Sequence, residues 1–269
     1  MEWFEAVILG LVQGLTEFLP VSSSGHLEIG KVLLGVETTD DLMFTTMVHA
    51  ATVLSTIVVF RKQIFGLLKG FFKFSYNDET DYLFKIAVSI IPVMIVGLFF
   101  KDHVEALFGS IKVVGYALLL TSALLFFSDL ASKPGKDVRK PESEARNGIS
   151  YWQAFVVGLA QALAVVPGLS RSGTTISTGL ICGVRRDVMA QFSFLMVLIP
   201  ILGESFLELV GGEFASSSVG ALPLLLGFVS AFVSGLFACK VMIALVKKAK
   251  LSWFAIYCLV AAAAIFIFA

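Results

Sequence analysis

Charge is what this chain of 269 residues has least of. Only 15% of it is Asp, Glu, Lys or Arg, against about a quarter in soluble domains, while 57% is hydrophobic and the mean hydropathy is +0.90. That shortfall excludes an ordinary soluble domain. Neither sign is in excess, since 20 basic residues face 20 acidic ones, so bulk charge implies no nucleic acid and no other polyanionic partner. Cysteine is scarce as well. Cys182, Cys239 and Cys258 all lie in apolar runs, which excludes a disulfide framework and makes them small core hydrophobes. Long stretches of alternating polarity are missing, so the spans are helical and not those of a β-barrel. The opening Met1-Glu2-Trp3-Phe4-Glu5 lacks a basic n-region, and no small-residue cleavage site follows in the first twenty residues, so no cleaved leader is expected.

What is present is a set of long apolar runs. Six are long enough to cross a bilayer, at about 20 residues each: 41–60, 82–100, 111–129, 187–209, 219–245 and 252–269. Two further stretches, 3–20 and 151–167, end in a proline or run into one, with a Ser/Gly cluster behind it, then resume as weakly polar helices near 22–35 and 172–183. Helix, break and helix within about 30 residues describes a segment that enters the membrane and returns on the same side, a break tolerated only where it faces protein or a water-filled cavity. With 1–40 on one side of the membrane, 16 of the 20 basic residues fall on the other. Only Lys31, Lys101 and Lys112 share the first side, and Arg171 lies inside. The positive-inside rule makes the basic side cytoplasmic, including the loops near 61–81 and 246–251 and the segment 130–150, which reads as a linker.

The chain also repeats itself. Shifted by 148 residues, "AVILGLVQGLTEFLPVSSSGH" (6–26) lies over "AFVVGLAQALAVVPGLSRSGT" (154–174) without a gap, with 8 of 21 positions identical. Gly10/Gly158, Gln13/Gln161, Ser22/Ser170, Ser24/Ser172 and Gly25/Gly173 are among them. Each half holds a re-entrant pair and three spans, and three is odd, so the second half is inverted. The expected fold is an all-α polytopic membrane protein of six transmembrane helices plus two re-entrant broken helices in an inverted-topology repeat. It forms a single membrane domain over 1–269. Repeat one covers 1–130 (re-entrant pair 3–35), the linker 130–150, and repeat two 151–269 (re-entrant pair 151–183). Inverted repeats of this kind hold their site near the midplane, where the breaks meet.

The break "PGLSRSGTT" has the composition of an anion site. Pro167 ends one half-helix, Gly168 permits unusual backbone angles, and the next half-helix opens near Ser170 with unpartnered amides at its positive end. Arg171 adds a planar fork that matches a phosphate or carboxylate. Ser170, Ser172, Gly173, Thr174 and Thr175 complete the phosphate-binding candidates, with Ser22 and Ser24 of the first break. A capping cluster with a snorkelling arginine is the plain structural reading, and the depth of Arg171 along the segment argues against it.

The first break supplies other chemistry: Glu17 stands where repeat two has Val165, Ser23 where it has Arg171, and His26 where it has Thr174. Gln13 and Glu17 are four apart and share a helix face. An intramembrane Glu and His facing an arginine-lined pocket point to proton transfer or metal binding, though a Glu17–Arg171 bridge alone would also account for the pair. Elsewhere, His49 reads as a packing histidine with support of the site as the alternative, His103 as solvated, and Glu204 and Glu208 as interfacial.

"QGLTEFLPVSSSGH" and "PGLSRSGTT" resemble the two signature motifs of the undecaprenyl-diphosphate phosphatase family, also called the bacitracin-resistance family: a Glu or Gln four residues before a Glu and then P-x-S-S-x-G-H, and P-G-x-S-R-S-x-x-T. The resemblance runs over essentially the whole chain. It implies hydrolysis of a C55 isoprenyl diphosphate to the monophosphate and inorganic phosphate, recycling the lipid carrier for wall synthesis outside the cytoplasm of a bacterium, at a site facing outward from the cytoplasmic membrane. The catalytic residues it implies are Glu17, Ser23, His26 and Arg171. A divalent cation, Mg2+ or Ca2+, would sit at Glu17 and Gln13, although Gln in place of Glu at position 13 weakens a two-carboxylate site. The nucleophile stays open among Ser23, His26 and water. The alternative class is a transporter or flippase of an anionic lipid phosphate, because inverted repeats with anion-binding breaks are also transporter architecture. A homodimer is among the oligomeric states the sequence allows.

Overall fold

A computed structural model describes residues 1–36, 42–100, 103–104, 106–107, 110–132, 145–203 and 219–268. Glu204, Glu208 and most of the linker lie outside them. The described residues are helical, with no strand: α1 (Trp3–Thr16), α2 (Ser23–Leu34), α3 (Leu42–Val59), α4 (Arg61–Phe71), α5 (Asp78–Phe99), α6 (Ile111–Ala131), a 3-10 turn at Arg146–Gly148, α7 (Tyr151–Leu163), α8 (Arg171–Ile181), α9 (Arg186–Met196), α10 (Ala221–Lys248) and α11 (Ser252–Phe268). Among the described residues, four helices are long and apolar enough to cross a membrane: α5, α6, α10, and α9 with its continuation to Gly203. α3 and α4 would make a fifth as one broken segment, bent by 74°, and α1 and α11 are shorter apolar helices. α4 is a departure from the sequence reading, which had a loop over 61–81. Ile64 and Leu67 pack against the core while Arg61, Lys62, Phe65 and Lys69 are exposed, an amphipathic pattern too short and too charged to register as a span.

Both expected breaks are present, between α1 and α2 and between α7 and α8. Each first arm packs on a span of the other half, α1 chiefly against α10 and α7 against α5. The matched glycines make this possible. A Cβ on Gly10 would stand 2.4 Å from the Gly227 carbonyl oxygen, and one on Gly158 would stand 2.3 Å from that of Ser89. Backbones therefore touch directly at both crossings. α6 and α11 pack against each other, and the principal core cluster takes in Phe18 and Val21 of the first break with Leu118, Leu125, Ile176 and Met189.

Two buried ion pairs fasten helix ends. Lys85 is 2% and Asp81 3% exposed at the side chain, with Nζ to Oδ2 at 2.6 Å. Lys85 also donates to the Arg146 carbonyl (2.6 Å), and Asp81 accepts from Tyr76, Tyr151 and Asn147. The second pair is Arg186–Asp129 at 2.5 Å, with the guanidinium also donating to the carbonyls of Ser132, Val246 and Ala249. A buried pair left without such extra partners is costly. Here each one ties the ends of several helices together.

Candidate active site

The two breaks begin their second arms in the same way. Ser22 caps α2 by accepting from the Gly25 amide at 3.2 Å, and Ser170 caps α8 by accepting from the Gly173 amide at 3.1 Å. These are matched positions 148 residues apart. Serine is a favoured cap because its oxygen takes up an amide that the helix leaves unpaired. The next hydroxyl matches too, with Ser22 Oγ 3.3 Å from Ser24 Oγ and Ser170 Oγ 3.4 Å from Ser172 Oγ.

The breaks also clasp one another. The Gly168 amide donates to Ser24 Oγ at 3.3 Å, and Ser172 Oγ donates to the Leu19 carbonyl at 3.1 Å. The second contact differs from the first for a chemical reason: the position matching Gly168 is Pro20, which has no N–H to give. Gly168 has φ +86°, and a Cβ there would stand 2.6 Å from Val114 Cα. Both the backbone angle and the space at that turn admit only glycine.

On this frame the charged groups gather. Glu17 closes α1, and its Oε2 accepts from Ser23 Oγ at 2.6 Å and from Gln13 Nε2 at 2.9 Å. His49 Nε2, on α3, is 3.9 Å from the same oxygen. Its Nδ1 lies 2.8 Å from the Thr45 carbonyl and so carries the proton. A polar cavity is lined by Glu17, Ser22, Ser23, Ser24, His49, Ser170 and Arg171. A second, mostly apolar cavity is lined by Glu17 and Arg171 again, with Phe18, Val53, Phe194 and Leu198. The carboxylate and the guanidinium therefore stand at the junction of a polar space and an apolar one.

His26 lies apart from that group. Its Nδ1 is 2.7 Å from the Ser22 carbonyl, its Nε2 is 2.6 Å from the Tyr257 hydroxyl, and its ring stacks on that of Tyr257 at 5.5 Å. Since a carbonyl only accepts, Nδ1 holds the proton and Nε2 accepts from Tyr257. The hydroxyl bonded to Glu17 is thus Ser23, while His26 bonds neither of them. Thr175 also has partners within the frame, donating to the Arg171 carbonyl (2.8 Å) and lying 2.7 Å from Ser193 Oγ. The Ser170 amide donates to Thr121 Oγ1 at 3.1 Å.

His49 carries a sequence signal, as one of three histidines and the one within a span. Thr121, Ser193 and Tyr257 carry none. They belong to other helices, from the next in the chain (Ser193) to the last (Tyr257), and only folding brings them to the breaks.

As for a cation, among the described residues no group of three or more His, Cys, Asp or Glu side chains could hold a metal. Among the described residues, Glu17 is the one carboxylate lining the polar cavity, and the buried Gln13 Oε1 has no hydrogen-bond partner. That set does not make a closed cage. It does fit a hard cation that takes one or two protein oxygens and completes its shell with water and phosphate.

Fold and site together define a class: a multi-pass helical membrane protein with a carboxylate and an arginine held where two broken helices meet. The chain belongs to the family described as bacitracin resistance protein BacA, whose model matches residues 6–264, and the resemblance read from the two motifs holds. Among its relatives, a protein of Parabacteroides distasonis named undecaprenyl-diphosphatase is 57% identical over 97% of this chain and 96% of its own length. One of Bacteroides fragilis with the same name is 55% identical over 96% and 95%. One of Halothermothrix orenii, also so named, is 37% identical over 96% and 95%.

Proposed function

We propose that this protein is an undecaprenyl-diphosphate phosphatase, hydrolysing the lipid diphosphate to the monophosphate and inorganic phosphate. That reaction recycles the lipid carrier for wall synthesis and accounts for bacitracin resistance. One observation carries the reading beyond the family: Glu17 and Arg171 each line both the polar and the apolar cavity. A substrate with a doubly phosphorylated head and an isoprenyl tail needs such a junction.

In the chemistry we propose, Arg171 and the free first-turn amides of α2 and α8 bind the oxygens of the terminal phosphoryl group. Ser23 Oγ attacks phosphorus, and its proton passes to Glu17, to which it is already hydrogen-bonded at 2.6 Å. The bond to the bridging oxygen breaks, and the lipid monophosphate leaves as a stable anion. Glu17 first gives its proton up to solvent and then takes one from water, whose oxygen attacks the phosphoserine phosphorus. As the Oγ–P bond breaks, Glu17 returns that proton to Ser23 Oγ, releasing inorganic phosphate and restoring Ser23. A divalent cation, Mg2+ or Ca2+, would be held by Glu17 with Gln13 beside it and would neutralise phosphate charge. His49 flanks Glu17 from α3, with its Nε2 3.9 Å from the carboxylate. The transporter reading is weaker, because moving an anionic lipid gives no reason for a carboxylate-bonded serine beside the arginine.

The finer architecture in this proposal is six spans and two re-entrant pairs, related by an inverted repeat over 1–130 and 151–269 and joined by a cytoplasmic linker. The matched caps at Ser22 and Ser170 and the matched crossings at Gly10 and Gly158 support the repeat. The basic-residue bias supports a site facing outward from the bacterial cytoplasmic membrane.

Phosphate release from undecaprenyl diphosphate by purified protein, with Glu17→Ala, His26→Ala and Arg171→Ala measured in parallel, tests the activity. No release by the wild type in lipid-supplemented detergent overturns it. A cysteine placed at Gly135 tests the orientation. It should resist impermeant thiol reagents added to intact cells, and ready labelling there refutes the outward-facing site.

A further inference from the structure

α4 leaves the line of α3 at Phe60 by 74°, and both its ends are fixed. Phe60 is buried and packs its ring on Phe194 at 6.2 Å. At the far end, the Gly70 carbonyl accepts from Asn77 Nδ2 at 2.8 Å. Ile64 and Leu67 pack inward against the core. The other face is uncovered. Phe65 is 70% exposed, Phe72 64% and Leu68 44%.

At about 100° per residue, Phe65 and Phe72 lie along one line of this helix, with Lys62 and Lys69 within about 60° on one side and Arg61 and Leu68 within about 60° on the other. Lys73 follows directly and is exposed. There is no acidic residue in α4. The nearest in sequence are Asp78, which is paired with Arg146, and Glu79, whose side chain packs against Gly70 at the end of α4. Aromatic rings in the middle of a basic face, on a helix turned sharply from an apolar one, match the chemistry of a membrane interface. Rings enter the headgroup boundary while lysines meet lipid phosphates.

We propose that α4 is an interfacial anchor that binds anionic phospholipid headgroups of the leaflet on the protein's basic side. This rests on membrane embedding and not on the phosphatase reading. Its consequence for the site is mechanical. α3 carries His49, Thr52 and Val53 at the two cavities, so an anchor at the end of α3 fixes the depth of those residues in the bilayer.

The test is native mass spectrometry of the detergent-solubilised full chain, titrated with phosphatidylglycerol and separately with phosphatidylcholine. The wild type should retain phosphatidylglycerol in preference. The variant Lys62→Gln/Lys69→Gln/Lys73→Gln should lose roughly 100-fold in that affinity, at about 5-fold per lysine, with retention of phosphatidylcholine and phosphate release in detergent unchanged. Equal retention of phosphatidylglycerol by both proteins, or equal retention of the two lipids by the wild type, overturns the proposal. A second measurement reads the face directly. Phe65→Trp in nanodiscs should show tryptophan emission, above that of the wild type, that is quenched by lipids brominated near the headgroup. Added emission that those lipids leave unquenched means that the face meets water, and overturns it too.

Discussion

The two breaks share a frame and differ in what they carry. Ser22 and Ser170 cap their half-helices at nearly equal distances, and Ser24 and Ser172 reach across to the opposite break. Within that frame the first break presents Glu17 and Ser23, and the second presents Arg171. The comparison is sharpest one turn back. Gln13 and Gln161 are matched residues, 0% and 2% exposed. Gln13 donates to Glu17, whereas four residues after Gln161 stands Val165, and among the described residues both polar atoms of the Gln161 side chain lack a hydrogen-bond partner. Repetition thus accounts for the backbone of both breaks, and the chemistry lies in the positions where they differ. Gln161 keeps the form of its counterpart without the carboxylate that gives Gln13 a partner.

The largest effect that would break this picture is at Ser23. As nucleophile, its loss should cost several orders of magnitude in turnover, and acid quench of the wild type during turnover of labelled substrate should trap a phosphoenzyme. As a phosphate ligand only, it would cost about 10- to 200-fold, the equivalent of about 1.5–3 kcal/mol for one hydrogen bond to a charged group. Ser23→Ala with more than about a tenth of wild-type turnover, and no trapped phosphoenzyme in the wild type, leaves direct attack by water.

Next comes Arg171, the group facing Ser23 from the other break. Arg171→Lys keeps the charge but loses the planar fork. It should fold normally and lose on the order of 100- to 1,000-fold in kcat, as when a preorganised anion donor is removed. Near-normal phosphate release by that variant would mean that the second break contributes charge alone.

Tyr257 should matter less. Tyr257→Phe keeps the stacking on His26 and removes one hydrogen bond, so turnover should change by about 2- to 13-fold. The sharper readout is the nitrogen-15 spectrum of His26, whose Nε2 should lose its hydrogen-bonded shift while Nδ1 stays protonated. An unchanged spectrum would mean that Tyr257 does not hold the ring.

The smallest effect is the most direct check on the comparison. Gln161→Leu removes two unpartnered buried polar atoms, so it should leave activity unchanged and thermal stability equal or higher, by up to about 1–3 kcal/mol. Gln13→Leu removes a donor to Glu17 and should lower turnover. Equal effects at the two positions would show that the glutamines serve packing alone.

Much of this was legible in the chain. Continuous apolar runs announced helices because backbone groups in hydrocarbon must be paired locally, and Pro20 and Pro167 with their serines announced the breaks. Glu17, Ser23 and Arg171 stood out because polar groups at that depth are costly. α4 was not read from the sequence, since eleven amphipathic residues between spans look like a loop.

What the sequence by itself determined is the helical membrane class, the 148-residue repeat and the chemistry available at each break, because all three follow from local composition and spacing. Only the tertiary structure decided who meets whom. It bonded Ser23 to Glu17 and turned His26 toward Tyr257, and it brought His49 from α3 to within 3.9 Å of the carboxylate. The reason is geometric. A break leaves its first-turn side chains several directions to face, and the direction is chosen by helices that arrive from elsewhere in the chain, packed as closely as Gly10 and Gly158 allow.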